Sequence, residues 1–202
     1  MFDMTEGNPE TLGVILAGGL SSRMKQDKAQ LVLPNGLSLL AHAQKLMASV
    51  SVAEIVISGL QGVPDLYPER GPLGGIFAVT QHYPEMRLLV IPVDMPLLQP
   101  KVLNALLAEN NPNNLPVVFS GQPLPLLLPV TEHVVSYLNG VVEGKNAASI
   151  KSMLAELNCI QLPKLDDYYF FNCNTPEEFD SVCQHLRLIK PCLPTFYTRH
   201  IG

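Results

Sequence analysis

Charge is scarce in this chain. Only 15% of its 202 residues are Asp, Glu, Lys or Arg, and the 18 acids outnumber the 13 Lys and Arg, for a formal net charge of −5. No basic patch dominates, so nucleic acid is a poor expectation as a partner, because its backbone is held first by clustered Lys and Arg. No apolar run reaches the ~18–20 residues that a membrane span needs. The opening MFDMTEGNPE is acidic and polar, where an export signal is basic and then apolar. A cytoplasmic location away from membranes is the expectation. No CxxC pair occurs among Cys159, Cys173, Cys183 and Cys192, which favours reduced thiols over a zinc site or a disulfide framework. Also missing are a Walker A loop, a GxGxxG fingerprint, a nucleophile elbow, and any Ser or Cys at a recognisable spacing from His42, His82, His133, His185 or His200. His42 lies on a predicted helix and reads as structural.

What is present is apolar substance and punctuation. The chain is 47% hydrophobic, with 18 Pro and 14 Gly, enough to bury a core and to turn often. Its length suits one domain, taken as residues 1–189 with a loose polar tail over 1–11, followed by a tail over 190–202. Residues 12–16 (LGVIL) form a short apolar run closed by Gly18 and Gly19, as in a strand buried on both faces. Helical spacing of Leu39, Leu40, Ala43, Leu46 and Met47 predicts a helix over 38–49. Further strands are expected over 54–59, 87–93 and 116–120, and further helices from about 76 to 82, 100 to 109, 131 to 139 and 148 to 157. The prolines within 122–129 argue for an edge strand at best. Thr175, Pro176, Glu177 and Glu178 announce a helix running to about residue 186. Strands alternating with helices imply an α/β, Rossmann-like domain whose mostly parallel sheet is flanked by helices. Ligands of such sheets sit beyond the carboxyl ends of the strands, which puts the loops after Leu16 and after Val93 on one edge.

Four segments carry chemistry. In LAGGLSSRMKQDKAQL (16–31), adjacent glycines after a strand let backbone N–H groups approach phosphate oxygens, and Arg23 and Lys28 add cations. A tight turn with solvated bases is the plainer reading, but the loop is long for a simple strand-to-helix connection. In LVIPVDMP (89–96), Asp94 projects past the tip of an apolar strand, a fitting single carboxylate for Mg²⁺, although Asp before a turn also serves as a cap. DLYPERGPLGG (65–75) reads as a surface turn or as a shaped loop in which Asp65 meets a sugar hydroxyl or assists the metal. In NCNTPE (172–177), Asn172 and Asn174 stand at a strand end beside the helix start.

In their order along the chain, LAGGLSSRMKQDKAQL, RGPLGGI, PVDMPLL and FNCNTPEEF resemble the molybdenum cofactor guanylyltransferases of the MobA type, over about residues 12–186. Gln122, Pro123 and Leu124, and the stretch EGKNAASIKSML, resemble that family's acceptor-side region. The resemblance implies transfer of GMP from GTP to molybdopterin carrying its molybdenum, with Mg²⁺ as cofactor, release of pyrophosphate, and a molybdoenzyme or its chaperone as a further partner. It implies that Leu16, Ala17, Gly18 and Gly19 hold the nucleotide through backbone, that Lys28 and Arg23 neutralise phosphate, that Asp65 contacts the nucleotide, that Asp94 binds Mg²⁺, and that Asn172 and Asn174 face the acceptor. No strong general base is needed, because a phosphate nucleophile is already anionic near neutrality. Two positions depart from the family pattern. Lys25 follows Met24 where the family has Gly, and Ser58, Gly59 and Leu60 replace a stretch with an Asn that helps to read the base. Another nucleotidyltransferase, using CTP or a sugar phosphate, or a non-catalytic carrier of the cofactor, is the competing reading.

Overall fold

The computed structural model describes residues 10–18, 27–59, 61–84 and 86–188. Gly19, Arg23, Lys25 and the 190–202 tail lie outside the described residues. Six strands form one sheet in the order β2-β1-β3-β5-β4-β6. β1 (Thr11–Leu16), β2 (Glu54–Ser58) and β3 (Arg87–Pro92) are mutually parallel, with β1 between the other two. β5 (Gln122–Pro129) runs antiparallel to both β3 and β4 (Val117–Phe119), and β6 (Ile160–Leu162) pairs parallel with β4. Every strand except β5 therefore points the same way.

All six residues of β1 are buried, as an uninterrupted apolar run between helical layers requires. Its first residue, Thr11, was expected in the loose tail; instead it pairs with Arg87, and its hydroxyl accepts a hydrogen bond from Arg87 Nε at 3.2 Å. α1 (Leu39–Met47) begins at Ser38, whose hydroxyl accepts the Ala41 N–H at 3.1 Å, and turns Leu39, Leu40, Ala43, Leu46 and Met47 inward. α2 (Pro72–His82) starts four residues earlier than the sequence suggests, since Pro72 takes the first helical position and Gly74 and Gly75 continue the helix. Residues 65–75 are thus a turn, a short 3-10 segment over Pro68–Arg70 and a helix start rather than one open loop. α2 packs on α4 (Glu132–Val142), and α4 on α5 (Ile150–Leu157).

The largest correction concerns residues 122–129. They were expected at an edge, yet β5 lies inside the sheet between β3 and β4, with residues 124–129 buried. The prolines are tolerated through the register. β5 pairs with β3 from Leu126 to Pro129 and with β4 at Leu126 and Leu127, then the β4 ladder shifts between Val118 and Phe119. Pro123 and Pro125, the latter after a cis bond, fall in that irregular stretch, where a missing N–H breaks no ladder bond. α3 (Pro100–Leu107) lies against β5. α6 (Pro176–Leu188) closes the described chain. No helix among the described residues is long and apolar enough to cross a membrane.

Candidate functional site

Two loops leave adjacent strand ends in different directions. The chain goes from β1 outward to β2, then back across to β3 on the other side. Such a reversal opens a crevice at the carboxyl ends of the strands. Leu16 pairs with Pro92, and the Val93 N–H donates to Leu16 C=O at 3.0 Å, so both loops begin from one point. A cleft of about 450 Å³ opens there.

Backbone forms its floor. The Ala17 N–H donates to Ser58 C=O at 3.0 Å, which joins the first loop to the tip of β2. A Cβ on Gly59 would stand 3.0 Å from Gly18 N, and Gly59 has φ +138°, so glycine is required for this close approach. On the next wall, Gly71, Pro72 and Gly75 bring the start of α2 to the cleft, where the positive end of the helix dipole favours negative charge. A Cβ on Gly75 would overlap the Ser58 hydroxyl, so the absence of a side chain lets α2 press against the tip of β2.

Asp94, two residues past the end of β3, stands at the centre. Lys28 Nζ lies 3.4 Å from Asp94 Oδ2, and the two side chains are 18% and 20% exposed. Burial raises the Asp94 pKa above the ordinary carboxylate value; Lys28 opposes the rise, and Glu178 adds to it. Lys28 opens a short 3-10 turn capped by Asp27, whose carboxylate accepts the Ala29 N–H at 3.0 Å. Lys28 Nζ also donates to Asn174 Oδ1 at 2.9 Å. The segment carrying Asn172, Cys173 and Asn174 is fastened to the tip of β3 by the Cys173 N–H, which donates to Asp94 C=O at 2.8 Å. It is set by a reciprocal cap: Glu178 Oε2 accepts the N–H groups of Asn174 (2.7 Å) and Thr175 (3.0 Å), and the Glu178 N–H donates to Thr175 Oγ1 at 3.2 Å. Cys173 is fully buried, and burial pushes its thiol up to about 12.

Residues as far as 158 positions apart in sequence, Leu16 and Asn174, thus line one cleft. Leu16, Ala17, Gly18, Lys28, Asp65, Asp94, Asn172 and Asn174 all line the cleft, while Gly19 and Arg23 lie outside the described residues. Asp65 also closes a turn, accepting the Tyr67 N–H at 2.8 Å through Oδ1, so the turn reading holds and the side chain stands at the cleft. Asp27 and Pro68 line the cleft as well. Sequence reasoning missed them; an Asp one residue before the lysine was the available signal for the first. Gln122, Pro123 and Leu124 supply the wall on the β5 side. His42 stands in its structural role, with Nε2–H donating to Pro96 C=O at 3.0 Å and burial lowering its pKa.

No group of three or more His, Cys, Asp or Glu suited to a metal occurs among the described residues. A hard cation that keeps its waters and substrate phosphates needs only one or two carboxylates. Asp94 fits that demand, since a cation, the Lys28 ammonium, already sits against its carboxylate.

A mixed α/β sheet whose strand ends open on a glycine-floored cleft, with Lys28 beside one central carboxylate, suits a nucleotidyltransferase. Residues 13–160 match the domain family described as the MobA-like NTP transferase domain, and the chain belongs to that family. It is 37% identical over 185 residues to a molybdenum cofactor guanylyltransferase of Xanthomonas euvesicatoria pv. vesicatoria, covering 87% of this chain and 95% of that one. A molybdenum cofactor guanylyltransferase of Rhizobium meliloti is 34% identical over 192 residues, with 82% and 87% covered. Among solved structures, molybdopterin-guanine dinucleotide biosynthesis protein A from Archaeoglobus fulgidus superposes with a TM-score of 0.70 at 20% identity, over 88% of this chain and all of that one; the likeness is one of fold.

Proposed function

We propose that this protein transfers GMP from GTP to molybdopterin carrying its molybdenum, forming the guanine dinucleotide and releasing pyrophosphate. One observation carries the reading: Asp94 and Asn174 both lie within hydrogen-bond reach of Lys28 in a cleft floored by Leu16, Ala17 and Gly18, in a chain 37% identical to a guanylyltransferase. The terminal phosphate of the acceptor attacks Pα of GTP in line; a new P–O bond forms as the bond from Pα to the bridging oxygen breaks, and the electron pair leaves with pyrophosphate. The first loop holds the phosphates through backbone N–H groups. Lys28 moves from Asp94 to the triphosphate and neutralises its charge, with Arg23 assisting from the same loop. Asp94 would hold Mg²⁺, which would screen the charge that builds on the phosphate oxygens. Asp65 contacts the nucleotide, and Asn172 and Asn174 face the acceptor. Cleavage is governed by position and charge, so no general base is assigned. A partner that receives the product, a molybdoenzyme or its chaperone, and a cytoplasmic setting belong to the same proposal.

The donor base is the open element of the site. Ser58 is buried and lines the cleft, and its short hydroxyl stands in the stretch where the resemblance leads one to expect an amide. The test is pyrophosphate release by the purified protein with molybdopterin and each of GTP, CTP, ATP and UTP, with and without Mg²⁺. Release with GTP and Mg²⁺ alone supports the proposal. Release with CTP in its place moves the chain to the cytidylyl branch, and no release with any nucleotide supports a carrier.

A further inference from the structure

We infer that Asn174 is a positioning residue for Lys28, so that a residue on the acceptor wall sets the affinity for the donor nucleotide. The inference rests on the nucleotidyl-transfer reading of the cleft and deepens it. Lys28 Nζ donates to Asn174 Oδ1 at 2.9 Å while standing 3.4 Å from Asp94 Oδ2. The orientation of the amide follows from chemistry. An ammonium has donors and no acceptor, so the oxygen must face it. A lysine on a four-carbon stem otherwise samples many rotamers, and a phosphate contact made by a wandering ammonium is weakened by the entropy lost on ordering it.

Asn174 is equipped to hold that ammonium because its own backbone is held on both sides. On one side, the Cys173 N–H is bonded to the C=O of Asp94. On the other, the Asn174 and Thr175 N–H groups share Glu178 Oε2. The amide oxygen that fixes Lys28 is therefore referenced to the same strand tip that carries the central carboxylate. With its oxygen engaged, Asn174 keeps its amide N–H groups for an acceptor. One side chain then touches the phosphate-neutralising lysine and the acceptor wall together.

Two other roles would leave different traces. If Asn174 served only the acceptor, it would not alter GTP binding when no acceptor is present. If it acted on the metal, its effect would not depend on Lys28. The deciding experiment is calorimetry of GTP with Mg²⁺ and no acceptor, on the full chain, for wild type, Asn174→Ala, Lys28→Ala and the double variant. Because Asn174 acts on GTP only through the placement of Lys28, a loss on the scale of one ordinary hydrogen bond is expected, roughly 3–10-fold weaker GTP binding for Asn174→Ala. The double variant is expected to match Lys28→Ala within about twofold, because the two residues act through one contact. Wild-type affinity in Asn174→Ala, or penalties that multiply in the double variant, would overturn the inference.

A second readout needs no nucleotide. In ligand-free protein with ¹³C-labelled lysine, the Lys28 signal, identified by its loss in Lys28→Ala, should shift in Asn174→Ala while the other lysine signals stay in place. An unmoved Lys28 signal sinks the inference even if GTP is not the donor. Failure of wild type to bind GTP, with the lysine signal shifted as expected, would instead count against the guanylyl reading alone.

Discussion

The two halves of the sheet solve different problems. β2, β1 and β3 are parallel, paired along their length, and end together at the floor of the cleft. β5, β4 and β6 are shorter or interrupted, change direction at β5, and reach the cleft through the start of β5. On the first side, backbone and glycine contacts fix the donor geometry: Leu16 to Val93, Ala17 to Ser58, Gly59 against Gly18. The second side contributes a wall from the start of β5, whose prolines have no N–H to give to the ladder. The first half is fixed by continuous pairing and backbone contacts, the second is interrupted at β5, and on the proposed reading the first takes the phosphate chain and the second faces the acceptor. Asn172, Cys173 and Asn174 are fastened at the tip of β3, where Asn172 and Asn174 line the same cleft as Gln122, Pro123 and Leu124.

The sharpest way to break this comparison is to remove the central charge. Asp94→Asn should lower pyrophosphate release by about 100-fold or more, the scale seen when a group stabilising developing charge is lost, while the fold survives. The stability sign can be worked out. Burial raises the folded-state pKa of Asp94 above its unfolded value. The ionised carboxylate therefore disfavours folding at neutral pH, and that penalty fades as pH falls from the folded pKa toward about 3.8. Thermal melts should show the variant at least as stable as wild type at pH 7, with the difference narrowing in acid. A large drop in melting temperature at pH 7 would mean that Asp94 serves the fold more than the site.

Next in size is the lysine. Lys28→Ala should weaken GTP binding by about 10-fold or more, since a charge-assisted contact contributes roughly 1.5–3 kcal/mol. Calorimetry with Mg²⁺ present checks it, and unchanged affinity would take Lys28 out of the donor half.

The packing of the halves can be contrasted with two glycine substitutions. A Cβ on Gly74 would overlap the backbone oxygen of Tyr67, whereas a Cβ on Gly121, in the hairpin before β5, meets nothing within 4 Å. Gly74→Ala is expected to destabilise by about 3 kcal/mol or more, the top of the overpacking range, because the atom in the way is backbone. Gly121→Ala should lose only about 1–2 kcal/mol, from its φ of +80°. Denaturant unfolding separates them, and equal losses would show that the donor half is no more tightly built than the hairpin.

The same division explains what was legible in the amino-acid sequence. Buried parallel strands are continuous apolar runs, so residues 12–16, 54–58 and 87–92 declare themselves, and Asp94 stands out as the first charge beyond such a run. Helix caps are local chemistry, and Ser38, Thr175 and Pro176 mark their helices without help from the rest of the chain. β5 did not read as an internal strand because its prolines argue against one, and the register shift that shelters them is a property of its partner. β6 has three residues, none fully buried, and so carries no apolar signature. The bond from Lys28 to Asn174 spans 146 residues and has no local pattern.

The smallest effect tests the junction between the halves. Cys173 sits between the two asparagines, fully buried, with its N–H on Asp94, and its thiol is pushed up to about 12. The thiolate is the reactive form, so at pH 8 roughly one Cys173 in 10⁴ is ionised, and that one is shielded. Cys159, just before β6, is partly exposed. Brief alkylation at pH 8 followed by peptide mass mapping should modify Cys159 and leave Cys173 untouched until denaturant is added. If Cys173 reacted as fast as Cys159 in the folded protein, the segment holding Asn172 and Asn174 would have to leave the tip of β3 often. The acceptor wall would then be a moving part, whereas the hydrogen bonds at Cys173 and Glu178 make it an extension of the donor half.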